Sequence, residues 1–300
     1  MVNIAFLFSG QGAQTPGMGK SLYDYSSAAK EVFVLADRVL DRSISELCFY
    51  GTQEELNLTH NTQPCMLAVD LAAYAAINEN GIKPQAVAGF SLGEYAALVA
   101  AEVLSIEDAF KLVQLRADAM QAAVPVGEGA MAVIMKITAP EVEALCKQVD
   151  GYVIAANYNS PLQTVISGET AAVSEVVKLA KEKKCRTVKM PVSAPFHCKL
   201  MEGARIELAA AFEDAAWHDA KIPIYMNVDG LAHKNAADIR ESVLQQTIAP
   251  VYWQDTIQNI YLAGCNKFLE LGVGDTLCGL VNKILPDISA VGINDYECLI

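Results

Sequence analysis

Gly89-Phe90-Ser91-Leu92-Gly93 follows a short apolar stretch, Ala86-Val87-Ala88, and precedes Glu94-Tyr95-Ala96-Ala97-Leu98-Val99-Ala100-Ala101. The run reads as strand, sharp turn, helix. A G-x-S-x-G in that setting is a nucleophile elbow. The two glycines relieve crowding where the chain reverses. The serine is pushed into the open at a helix N-terminus, where free N–H groups and the positive end of the helix dipole favour developing negative charge. Gly and Ser are also ordinary turn residues, so the five residues alone leave a plain strand-to-helix turn open. The flanking strand and helix favour the elbow.

Working outward, Ile4 to Phe8 reads as a buried strand, and helical patterns cover Ser27 to Leu40, Gln63 to Glu79, Gly93 to Glu102 and Ile106 to Ala122. The middle of the chain differs. Strand Ala130 to Ile137, helix Ala139 to Gln148, strands Tyr152 to Tyr158 and Gln163 to Ser167, helix Ala171 to Lys183 and strand Arg186 to Met190 give the order βαββαβ, a ferredoxin-like unit. Pro125, Gly127 and Gly129 punctuate its start and Pro191 and Pro195 its end, which suggests an inserted subdomain. Strand Ile222 to Asn227, helix Ala237 to Gln246, strand Lys267 to Glu270 and helix Thr276 to Ile284 resume the alternation. The expected architecture is α/β: an α/β-hydrolase-like core with a mostly parallel sheet over 1–127 and 195–300, and a ferredoxin-like subdomain over 128–194.

The 300 residues are 53% hydrophobic and 19% charged, which suits a well-buried α/β enzyme rather than a disordered chain. A net charge of −13 makes nucleic acid and anionic membranes poor partners. No basic segment precedes the short apolar Ile4–Phe8 run, so no signal peptide is expected, and no apolar stretch is long enough to span a membrane. The eight cysteines form no C-x-x-C pair, and their spacing suits neither zinc nor a disulfide framework. A cytoplasmic protein with free thiols is the simplest expectation.

Three further features bear on chemistry. Gly10-Gln11-Gly12-Ala13-Gln14 ends the first strand, at the carboxyl edge where open α/β sheets bind ligands. By itself it is a tight turn. Beside Ser91 it becomes a candidate second oxyanion donor, with the Leu92 N–H as the first. A nucleophilic serine needs a base, and among His60, His197, His218 and His233 only His197 sits where the inserted unit exits, at an expected cleft. Arg116 lies on the apolar stripe of its helix, with Leu112, Val113, Ala119 and Met120 three and four residues away and no carboxylate among them. Its head reaches solvent, meets a carboxylate from elsewhere in the fold, or awaits an anionic substrate. The last option suggests an acyl group that carries its own carboxylate.

With these residues the chain resembles the malonyl-CoA:acyl carrier protein transacylases, the acyltransferases of fatty-acid and polyketide synthesis. The resemblance runs nearly end to end. It includes Phe8-Ser9-Gly10-Gln11-Gly12-Ala13-Gln14, Asn61-Thr62-Gln63-Pro64, the elbow with Glu94-Tyr95, Arg116, Ala156-Asn157-Tyr158-Asn159-Ser160-Pro161 and Val165-Ile166-Ser167-Gly168. It continues through Ser193-Ala194-Pro195-Phe196-His197, Gln246 to Trp253, and Phe268-Leu269-Glu270-Leu271-Gly272-Val273-Gly274. The resemblance implies Ser91 as nucleophile and His197 as base. It implies the Gln11 and Leu92 N–H groups as oxyanion hole, and the backbone carbonyl of Gln246 as the group orienting the histidine. Arg116 is the implied carboxylate clamp, with Gln63 and Phe196 also binding substrate and Phe196 matching malonyl-selective members. Malonyl-CoA and acyl carrier protein are the implied partners of a monomeric enzyme that needs no cofactor.

Three positions depart from the family pattern: Phe90 where His is common, Ser9 where Pro is usual, and Val273 within the usual Gly-Pro-Gly. A serine thioesterase shares elbow and base but gives Arg116 no role. A non-catalytic carrier-docking subunit and a trans-acting acyltransferase of a polyketide synthase are the other readings. Carrier proteins of this pathway are acidic, so docking on an acidic chain needs a basic patch. Lys181, Lys183, Lys184, Arg186, Lys189, Lys199 and Arg205 are expected to form one flanking the cleft.

Overall fold

In the computed structural model, which describes residues 3–125, 127–192 and 194–299, the apolar run Ile4–Phe8 becomes the central strand of a mostly parallel sheet. The strands in chain order are β1 (Ile4–Phe8), β2 (Ala86–Gly89), β3 (Gly129–Met135), β4 (Val153–Ser160), β5 (Gln163–Glu169), β6 (Arg186–Lys189), β7 (Ile224–Tyr225), β8 (Ala232–His233), β9 (Lys267–Leu271) and β10 (Ser289–Ile293). The large sheet has the order β10-β9-β1-β2-β7-β8. β1 pairs in parallel with β2 and β9, and only β8 runs antiparallel, against β7. A strand flanked on both edges and covered on both faces reads as continuously apolar, and Ala5 to Phe8 are all buried. The carboxyl ends of β1 and β2 lie side by side, Phe8 opposite Gly89, so the Ser9–Gln14 loop and the elbow leave the sheet as neighbours.

The helices take their starts from local chemistry. Ser26 accepts from the Ala29 N–H to cap Ser27–Leu40, and Ser105 accepts from the Asp108 N–H to cap Ile106–Ala122. The helix Thr59–Glu79 begins four residues before the expected Gln63 and holds Pro64 within it. Proline leaves the carbonyl four residues back without its usual donor. Here that carbonyl, on His60, receives side-chain N–H groups from Arg42 and Gln114.

The second sheet has the order β4-β5-β3-β6 with every neighbouring pair antiparallel, and the helices Ala139–Cys146 and Thr170–Glu182 complete the βαββαβ order. That is the ferredoxin-like arrangement. It has its own apolar centre, including Ile134, Val142, Ile166 and Val176. A separate apolar cluster containing Met120, Met131, Val165, Phe196 and Met201 joins it to the main unit. The segment after Gln246 is stitched to β4 by hydrogen bonds from Val251 N–H to Ala156 O and from Tyr158 N–H to Val251 O. The cleft lies between the two sheets. All eight cysteines are free, and only Cys298 is exposed. Among the described residues no helix is long and apolar enough to cross a membrane, and no cluster of His, Cys, Asp or Glu is placed to hold a metal.

Candidate active site

Ser91 sits at the tip of the turn with φ of 54°, in the left-handed region that a non-glycine residue enters only when its surroundings hold it there. The turn closes because Gly89 and Gly93 lack side chains. A Cβ on Gly89 would strike the Gly93 backbone, and one on Gly93 would strike the carbonyls of Phe8 and Ser9. The strained tip is also stapled from outside. The buried Asn227 side chain accepts from the Ser91 N–H at 2.7 Å and donates to the Gly89 carbonyl at 2.7 Å, while its own N–H donates to Glu94 Oε1. Nothing in the sequence reading singled out Asn227 or Glu94 for this role.

His197, also at positive φ (59°) and only 3% exposed, places Nε2 2.6 Å from Ser91 Oγ. Its Nδ1 lies 2.9 Å from the Gln246 carbonyl. That contact fixes the Nδ1–H tautomer, so Nε2 presents a lone pair to the serine hydroxyl. Burial, and then the Arg116 charge, hold the imidazole down to about 4, against the opposing pull of the Gln246 and Ala249 carbonyls. The ring is therefore neutral at ordinary pH, as a proton acceptor must be. Ser193, quoted above within the same motif, lies outside the described residues.

Arg116 is 1% exposed and has no carboxylate within ion-pair distance among the described residues. It does not snorkel. Nη1 donates to Gln63 Oε1 at 2.7 Å, and Nη2 to Gln246 Oε1 at 3.0 Å and Ser91 Oγ at 3.2 Å. These bonds engage three of its five N–H groups, and Nε finds no partner among the described residues. The carboxylate from elsewhere is Glu94, one amide removed: the Gln246 side chain accepts from Arg116 and donates to Glu94 Oε2 at 2.9 Å and to the Ser91 carbonyl at 2.8 Å. Burial pushes the Glu94 carboxyl up to about 8. Gln246 thus serves the site twice, through its carbonyl to His197 and through its side chain to the guanidinium.

Ser91, His197 and Arg116 line a cavity of about 250 Å³. Its walls are mainly apolar, with Met120, Met131, Val165, Val192, Phe196 and Leu280 among them, and two of its polar side chains, His197 and Arg116, meet Ser91 Oγ. Gln11, Leu92 and Gln63 line it too, and neither the Gln11 nor the Leu92 backbone N–H has a hydrogen-bond acceptor among the described residues. Phe90 packs edge-on against Trp253, with ring centroids 5.2 Å apart, at the cavity edge. The structure thus brings together the residues expected at the catalytic and acyl-binding site: Ser91, His197, Gln11, Leu92, Gln246, Arg116, Gln63 and Phe196.

The model of the acyl transferase domain family matches residues 5–273. The malonyl CoA-acyl carrier protein transacylase of Bacillus subtilis (strain 168) is 40% identical over 303 residues, covering 100% of this chain and 96% of its own. The structure of the enzyme of that name from Coxiella burnetii superposes with a TM-score of 0.97 at 38% identity, covering 99% of this chain and 96% of that one. A malonyl-transacylase solved in complex with a type II polyketide acyl-carrier protein superposes with a TM-score of 0.96 at 37% identity, covering 99% and 97%. The chain belongs to the acyl transferase family, among the malonyl CoA-acyl carrier protein transacylases.

Proposed function

We propose that this protein moves malonyl from malonyl-CoA to the phosphopantetheine thiol of acyl carrier protein through a malonyl ester on Ser91, supplying fatty-acid synthesis. The observation that carries the reading is a buried arginine with no carboxylate in direct contact, with Nη2 3.2 Å from the oxygen of a serine that is paired to a neutral histidine. A hydrolase of simple acyl groups has no use for that charge. A malonyl group, whose free carboxylate lies two carbons from its thioester carbonyl, does.

The first half-reaction starts when His197 Nε2 takes the Ser91 hydroxyl proton and Oγ attacks the thioester carbonyl. The Gln11 and Leu92 N–H groups receive the oxyanion. The C–S bond breaks, CoA leaves as its thiolate, and the proton on Nε2 converts it to the thiol. In the second half, the carrier's thiol gives its proton to Nε2 and attacks the ester. Ser91 Oγ leaves and recovers that proton. Nδ1, fixed by the Gln246 carbonyl, keeps the ring in one tautomer throughout, so no triad acid is required. Arg116 and Gln63 hold the malonyl carboxylate, and Phe196 closes the acyl pocket.

Every group invoked comes from one chain, and none is a metal or redox cofactor. The reading takes the protein as a cytoplasmic monomer, with residues 128–194 as a subdomain on a core of 1–127 and 195–300. The test is malonyl release with and without holo-acyl carrier protein. Transfer that needs the carrier supports the reading. Rapid hydrolysis without an acceptor makes the protein a thioesterase. Quantitative preference for a polyketide carrier over the fatty-acid carrier would reassign the pathway and leave the chemistry intact.

A further inference from the structure

The loop that bears Gln11 is held by a buried polar cluster which the reaction as written does not use. Ser9 is 2% exposed, and its Oγ donates to Asp70 Oδ1 at 2.7 Å. The same oxygen accepts from the Val273 N–H at 3.3 Å. Asp70 comes from the middle of the helix Thr59–Glu79 and is fully buried, and its Oδ2 has no partner among the described residues. Gly272 (φ 121°) presses onto this pair so closely that a Cβ there would overlap the Asp70 carboxyl. On the loop's other side, a Cβ on Gly10 would lie 2.6 Å from the Phe90 carbonyl of the elbow. The Ser9–Gln11 segment is thus wedged between the nucleophile turn and the Gly272–Gly274 loop, and the Ser9 hydroxyl is its only side-chain anchor among the described residues.

We propose that Ser9 is a positioning residue for the oxyanion hole: held between the Asp70 carboxyl and the Val273 N–H, it sets the angle at which the next loop residues present the Gln11 N–H to the reacting carbonyl. The residue types fit this task. The bridge needs a hydroxyl, which donates and accepts at once, and it needs a position 273 that carries an N–H. Proline at 9 offers no hydroxyl and proline at 273 offers no donor. Two of the three departures from the family pattern are therefore the two ends of a single hydrogen bond, with Asp70 completing it. Burial holds the Asp70 carboxyl well above the ordinary carboxylate range. A neutral acid is close in shape to an amide, so asparagine is the conservative replacement.

The inference rests on the reading of Gln11 as an oxyanion donor, and its test separates the two. Single-turnover acylation of Ser91 by malonyl-CoA is measured for the wild type, Ser9→Ala, Asp70→Asn and Asp70→Ala, each corrected for the fraction folded. Removing an oxyanion donor outright costs roughly 10²–10³ in rate, so misaiming one is expected to slow acylation about tenfold in Ser9→Ala. The KM for malonyl-CoA should stay within about twofold, because a donor aimed at the oxyanion acts on the transition state and not on ground-state binding. Asp70→Asn, which still offers an acceptor to Ser9, restores most of the rate that Asp70→Ala loses. If Ser9→Ala acylates as fast as the wild type and only its melting temperature falls, Ser9 is structural and the proposal is overturned. If KM rises and the rate constant is unchanged, the loop serves substrate binding and the proposal is again overturned. A wild type that forms no adduct at Ser91 overturns the proposed acyl transfer through Ser91, and the oxyanion reading with it, a result distinct from either.

Discussion

At the scale of single residues, the site is governed by one unpaired charge. Arg116 is buried with no carboxylate in direct contact, and the malonyl carboxylate is the anion proposed to complete it. Loss of one partner of a buried charge pair costs on the order of 2–5 kcal/mol. Arg116→Ala is therefore expected to lower the malonyl-to-acetyl preference at least about thirtyfold, measured as the ratio of kcat/KM for the two CoA esters. An unchanged ratio would make Arg116 structural. The same charge contributes to holding His197 near 4. Acylation should consequently stay level from neutral pH down to about 5 and fall only as the pH nears 4. In Arg116→Ala the acid limb should move up toward the ordinary histidine value of 6.5. The unfolded chain takes up this proton below 6.5 and the folded chain refuses it down to about 4, so over that window His197 makes stability fall with falling pH. Ser91, His197 and Arg116 were legible because each is an odd residue in its local pattern: a serine between glycines, a histidine at a junction, a cation on an apolar stripe. Asn227 and Glu94 were not. Asn227 acts on Ser91 across 136 residues of chain, and no local spacing announces that contact.

At the scale of elements, the elbow is strained and its staple comes from the segment after β7. Asn227→Ala leaves the Ser91 N–H and the Gly89 carbonyl without their partner. Such losses cost about 1–3 kcal/mol each, so the melting temperature should drop by several degrees, roughly 2–4 °C per kcal/mol in a chain near this size. Acylation should slow as well, since the serine tip is no longer held. A variant with wild-type melting and wild-type acylation would remove Asn227 from the account. The helices Ser27–Leu40, Ile106–Ala122 and Thr276–Ile284 match the sequence reading to the residue. In the first two, an apolar stripe and a serine cap coincide. Other elements follow tertiary demands. The expected strand Ile222 to Asn227 shortens to Ile224–Tyr225, because the backbone beyond it turns to serve the elbow. The Ala-rich helix Glu202–Asp214 buries only Ala204, Leu208 and Phe212, a stripe too sparse to stand out. Trp253–Leu262 lies outside the sequence expectation although its buried residues Trp253, Thr256, Ile257 and Ile260 recur at the helical period.

At the scale of the whole molecule, a chain of net charge −13 must dock an acidic carrier through local basic groups. The expected basic stretch is divided by the fold. Met190 and Val192 line the cavity, so Lys189 is exposed at the cleft end of β6. Lys183 and Lys184 precede the other end of that strand, which alone spans about 10 Å at the rise of an extended chain, and Arg205 is paired with Glu202. Lys189→Glu should raise the KM for carrier protein and weaken its salt dependence, with the malonyl-CoA half-reaction little affected. Lys183→Glu with Lys184→Glu should do much less. The reverse order would put the carrier on another face. The most direct test of the central claim is mass spectrometry of the protein mixed with malonyl-CoA in the absence of carrier. One malonyl adduct per chain is expected on the peptide containing Ser91, absent in Ser91→Ala and formed far more slowly in a folded His197→Ala. An adduct on any other residue, or none on a fully active protein, would contradict it.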